Sequence, residues 1–168
     1  RTYYATERRR LNALPQIDYE AVNNIKNAYT RELFAQEGAK TVKSADFKAF
    51  VKKNKSWLTP YAAFCTLRDI HHTAEMERWG DMAVYDEKRV GEFIAAHTDE
   101  INYVYFLQYH LDKQLREVRD YAHSRGVAIK GDIPIGISRN SVDAWTQPRL
   151  FNLNSQAGAP PDDFSVLG

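Results

Sequence analysis

The sequence predicts a mainly α-helical chain with one or few strands, the strand belonging to a larger α/β layer or barrel. From Asp18 to Ala122, apolar side chains recur every three or four residues, the period of an amphipathic helix. Directly after Gly126 the period drops to two: Val127, Ile129, Ile133, Ile135 and Ile137 take odd positions, and Ala128, Lys130, Asp132, Pro134 and Gly136 take even ones. A single strand cannot make a sheet, because its backbone donors and acceptors need partners. Its partners are therefore expected outside these residues.

Each element has a local cause. Asp18 is an N-cap for a helix bearing Val22, Ile25, Tyr29 and Leu33, which Gly38 is expected to stop. Ser44 can cap a short helix with Phe47, Phe50 and Val51. Pro60 suits the first turn of a further helix, with Thr59 as its cap and Ala63, Phe64, Leu67 and Ile70 as its apolar face. Gly80 punctuates a polar stretch, and Asp86 opens a helix bearing Val90, Phe93 and Ile94. After Thr98 the longest periodic run places Val104, Leu107, Leu111, Leu115, Val118 and Ala122 on one stripe, and Gly126 sits where a left-handed C-cap is wanted. Residues 127–135 are the predicted strand, with ladder pairing ending near Asp132 or Ile133 because Pro134 has no N–H. Ser141 can cap a short turn towards Trp145, and residues 156–163 read as a loop.

Composition narrows the class. The chain has 168 residues, 43% hydrophobic and 27% charged, as in a globular protein. Its 23 basic and 22 acidic side chains nearly cancel, which argues against a dedicated nucleic-acid binder. The short basic runs Arg8–Arg10 and Lys52–Lys55 read as solvated helix faces. No apolar run reaches the roughly 20 residues needed to cross a bilayer. Cys65 is the one cysteine, so no internal disulfide forms, and a cytoplasmic setting is expected. The start at Arg1 and the end at Gly168 lack the marks of natural termini, so a longer chain is expected.

Asp132 is the first candidate for chemistry. It lies at the C-terminal end of the predicted strand, the edge where parallel α/β folds gather catalytic and ligand groups, with Gly131 and Gly136 leaving room beside the backbone. Its plainer role is to cap a loop or pair with Lys130 or Arg139. Asp162 and Asp163 follow Pro160 and Pro161, which stiffen the loop; an acidic pair in a turn is the plainer reading. The histidines His71, His72, His97, His110 and His123 show no zinc spacing, and His110 reads as a hydrogen-bonded packing residue. Tyr103, Tyr105, Phe106 and Tyr109 could stack on sugar rings, but their helical spacing favours core. No metal or organic cofactor is implied.

Three segments then carry a resemblance: Gly131-Asp-Ile-Pro-Ile135, Ser141-Val-Asp-Ala-Trp145, and the loop from Ala157 to Ser165 with its Pro-Pro-Asp core. The stretch from Trp57 to Phe64 and the pair Gln108 and Gln114 add to it. In order and spacing they are similar to the amylomaltases, the 4-α-glucanotransferases of glycoside hydrolase family 77, over residues from about Asp18 to Gly168.

The resemblance implies a parent (β/α)8 TIM barrel with helical insertions. Residues 1–97 would be a helical insertion subdomain and 98–168 a barrel segment. The parent would transfer α-1,4-glucan segments between maltooligosaccharides, or starch-derived glucan, by retaining double displacement. That chemistry needs a carboxylate nucleophile and a carboxylic acid/base roughly 5–5.5 Å apart. In the family these acids lie downstream of the loop ending at Ser165, so the chain by itself is expected to be inactive. Asp132 would hold substrate or orient the catalytic groups, Asp162 would lie beside the glucan cleft, and Tyr61 and Trp145 fall in matching substrate-side segments. Asn140 stands where the family usually has Asp, which puts any role for a charge there in doubt. The expected partners are the glucan and the remainder of the barrel, with neither nucleic acid nor membrane, and the uncovered faces would favour self-association. Two other readings stand beside this one: a non-enzymatic helical interaction module, and a segment of an α-glucan hydrolase.

Overall fold

The computed structural model describes residues 2–155, 158 and 160–166. The expectations for Gln156, Ala157 and Ala159 in the loop, and for the end at Leu167 and Gly168, lie outside the described residues. In order the helices are α1 (Thr2–Asn12), α2 (Tyr19–Lys43), α3 (Ala45–His71), α4 (Glu87–Ala96), α5 (Thr98–Ser124) and α6 (Val142–Thr146). Short 3-10 turns at Met76–Arg78 and Gly80–Met82 join α3 to α4, and another spans Pro148–Leu150.

Four predicted caps form. The Asp18 carboxylate accepts from the Ala21 N–H at 2.9 Å, Ser44 Oγ from Phe47 at 3.2 Å, Asp86 from Arg89 at 2.8 Å and Ser141 Oγ from Ala144 at 3.3 Å. Each satisfies an N–H that the first helical turn leaves open. Gly126 takes the left-handed conformation at φ +72° beyond α5, and Val127 N–H donates to Ala122 O at 2.9 Å.

Two expected helix ends are not ends. Gly38 lies inside α2, which continues to Lys43. Pro60 lies inside α3, so Thr59 is not a cap; its Oγ1 instead accepts from the Tyr105 hydroxyl at 3.3 Å. Both helices gain from lying along α5, and that packing outweighs the local preference of one Gly and one Pro.

The core has two parts. In the first, Phe47, Phe50, Leu58, Ala62 and Cys65 of α3 meet Ile101, Val104, Tyr105 and Phe106 of α5, with Phe34 of α2 packed against them. In the second, Ala63, Phe64 and Leu67 of α3 meet Met76, Trp79, Val90, Ala144 and Trp145. The aromatic run of α5 is thus core: Tyr103, Tyr105 and Phe106 are buried. Burial ends halfway along α5, where Leu111, Leu115, Val118 and Tyr121 are 57–65% exposed.

The predicted strand does not form. Among the described residues there is no strand, and 127–138 is irregular. Ile133 is 88% and Ile135 101% exposed, so neither apolar side chain is covered. A strand is defined by its ladder, and no second extended segment is at hand to supply one.

Candidate functional site

Asp132 is exposed on this irregular segment. Among the described residues it forms no ion pair with Lys130 or Arg139. From Ala128 to Asn140 the only hydrogen bond among the described residues is local, from Asn140 N–H to Ser138 Oγ at 3.2 Å. The backbone amide of Asn140, not its side chain, makes this contact.

Asp162 closes a tight turn. Its Oδ1 accepts from the N–H groups of Phe164 at 2.9 Å and Ser165 at 2.8 Å, and its own N–H donates to Ser165 O at 3.0 Å. This is the turn-forming use of an acidic side chain. It also holds the carboxylate in one orientation at the surface, with Phe164 98% exposed beside it.

Tyr61 is half-buried on α3, one turn after Trp57, with the two rings 6.2 Å apart and tilted by 55°. Burial pushes the Tyr61 phenol up to about 12, reinforced by the charge of and hydrogen bonding with Cys65, while Arg68 acts in the opposite direction. The phenol therefore stays a neutral donor. Trp57 is 46% exposed and its Nε1–H donates to Asn54 Oδ1 at 3.0 Å. The two rings lie side by side on one face of α3, tilted and not coplanar. Reading Tyr61 alone overlooks Trp57, although the i, i+4 spacing on a helix is the signal for it.

Trp145 is placed in the core at 3% exposure. Its ring meets Phe64 at 6.0 Å, Trp79 at 5.7 Å and Tyr85 at 5.0 Å, all edge-on, and its Nε1–H donates to Met82 O at 3.0 Å. A ring so enclosed offers no face for sugar stacking. His110 packs on Phe106 and Tyr109 as expected, but its Nε2 is buried without a hydrogen-bond partner among the described residues. Burial, and then the charge of Lys113, lower its pKa.

Among the described residues no cluster of three or more His, Cys, Asp or Glu side chains is arranged to hold a metal ion. No helix among them is long and apolar enough to cross a membrane. The exposed carboxylates, the Trp57–Tyr61 pair and the buried Trp145 thus lie on separate elements, and no direct contact among them is seen.

Comparison with known proteins gives a consistent result. The family model described as 4-alpha-glucanotransferase matches residues 2–168. The chain is 42% identical over 155 residues to the 4-alpha-glucanotransferase DPE2 of Oryza sativa subsp. japonica, covering 90% of this chain and 16% of that protein. It is 33% identical over 163 residues to the 4-alpha-glucanotransferase of Chlamydia muridarum, covering 96% and 31%. It is 30% identical over 164 residues to that of Synechocystis, covering 92% and 32%. The chain therefore spans less than a third of the length of each of these relatives. No solved structure matches the chain significantly.

Proposed function

The chain belongs to the 4-alpha-glucanotransferase family, glycoside hydrolase family 77, and we propose that it is a substrate-side segment of a longer polypeptide that transfers α-1,4-glucan segments between maltooligosaccharides. The match of the family model over residues 2–168 is the observation that carries this reading. In it, residues 1–97 form a helical insertion and 98–168 belong to a (β/α)8 barrel. The stretch 127–135 then finds in that barrel the ladder partners it lacks here.

The reaction is retaining. One carboxylate attacks the anomeric carbon while a carboxylic acid protonates the departing glycosidic oxygen; the acid, now a base, deprotonates the acceptor 4-hydroxyl that resolves the covalent intermediate. Those two groups come from the remainder of the polypeptide. Asp132 and Asp162 hold sugar hydroxyls or orient the reacting acids, and the Trp57–Tyr61 pair stacks on a glucosyl ring. Starch-derived glucan is the substrate class, and the cytoplasm is the setting that the single cysteine favours.

The test is Asp132→Asn in the longer polypeptide, assayed by disproportionation of maltotriose. A fall of about a hundredfold or more in kcat/KM, roughly 2.7 kcal/mol of lost transition-state stabilisation, with an unchanged melting temperature is expected. An unchanged rate would make Asp132 a bystander.

A further inference from the structure

We propose that Trp145 is a positioning residue: it docks residues 137–153 on the helical body and so sets the point from which the preceding stretch, which carries Asp132, leaves the helices. The proposal rests on the reading above that Asp132 faces the glucan.

Helix α6 has five residues, far too few to hold itself in water. Ser141 caps it and Thr146 Oγ1 donates to Val142 O at 2.8 Å, but both bonds are local. What ties it to the rest is burial. Ala144 is 2% and Trp145 3% exposed, and Ile137, Val142 and Leu153 pack on the same cluster. The bond from Trp145 Nε1–H to Met82 O spans 63 residues of sequence.

The anchor point is itself held. Trp79 Nε1–H donates to Thr73 O at 3.0 Å and Arg89 Nη1 to Asp81 O at 2.6 Å, so the connection between α3 and α4 that offers the Met82 carbonyl is pinned on both sides of Gly80. The preceding stretch is not. All of 127–136 is exposed, and among the described residues the stretch from Ala128 to Asn140 has no hydrogen bond to another element. After Gly126, then, Ile137, Val142, Ala144, Trp145 and Leu153 pack the segment onto the helices, and the indole adds the hydrogen bond to Met82.

Two variants test this, Trp145→Phe, which keeps a ring and removes the N–H, and Trp145→Ala. In the 168-residue chain, trypsin should cut after Arg139 and Arg149 at least tenfold faster in Trp145→Ala and by an intermediate factor in Trp145→Phe, with far-UV helicity kept. If Trp145→Ala loses its helicity, Trp145→Phe decides alone. Unchanged cleavage at both arginines overturns the docking role. In the longer polypeptide, turnover of maltotriose should fall in Trp145→Ala, be largely rescued in Trp145→Phe, and fall no further when Trp145→Ala is added to Asp132→Asn. Additive losses would show that Trp145 does not act through Asp132, and would overturn the positioning role. A longer polypeptide inactive on maltotriose would remove the glucan reading on which positioning rests, while the cleavage result would still report the docking.

Discussion

The ring of Phe34 lies across Gly38, one turn later on α2, so that a Cβ at Gly38 would meet its ring carbons at 2.6 Å. Phe34 cannot simply swing away. It sits edge-on against Tyr103 at 5.5 Å and Phe106 at 5.3 Å, both on α5. Overpacking of this kind costs ~1–3 kcal/mol, against a helix-propensity gain of ~1 kcal/mol for replacing Gly by Ala. Gly38→Ala is therefore expected to lower the urea midpoint. Gly91, inside α4 with open space around its Cβ position, makes the contrast: Gly91→Ala should raise the midpoint by about 0.5–1 kcal/mol of stability. Equal shifts in the two variants would contradict the Phe34 contact.

The exposed stripe of Leu111, Leu115 and Val118 should drive association of the 168-residue chain. Leu115→Glu is expected to reduce the mass seen by light scattering at high concentration without lowering the melting temperature, since Leu115 is 65% exposed. A wild-type chain that stays monomeric at high concentration would sink this expectation.

His110 gives the fold an acid-sensitive point. Its pKa is lowered in the folded chain by burial and by Lys113, so the folded state binds the proton less readily than the unfolded state does. The contribution of neutral His110 is whole above the unfolded value of about 6.5 and shrinks as pH falls below it. Urea unfolding should thus show a larger loss between pH 7.5 and 5.5 in the wild type than in His110→Leu. Parallel losses would mean that His110 is not the group responsible.

What the sequence revealed is what depends on near neighbours. The caps at Asp18, Ser44, Asp86 and Ser141 and the left-handed Gly126 were readable because a side chain or a φ angle acts within three or four residues. Gly38 and Pro60 misled for the complementary reason, since contacts with α5 decide those positions. The 127–135 stretch shows the right period but forms no ladder, because pairing depends on a second strand. Among candidate site residues, the turn at Asp162 agrees with its neighbouring prolines, whereas Asp132 lies on an exposed irregular segment and not at a strand end. The burial of Trp145 was not legible, because it depends on Phe64, Trp79 and Met82, all more than 60 residues away in sequence.

The most direct test of the whole account is maltotriose disproportionation by the purified 168-residue chain beside the longer polypeptide. The longer polypeptide should release glucose and build longer maltooligosaccharides, while the 168 residues alone should do neither at any concentration. Sustained turnover by the pure chain would contradict the assignment of the reacting acids to residues outside it.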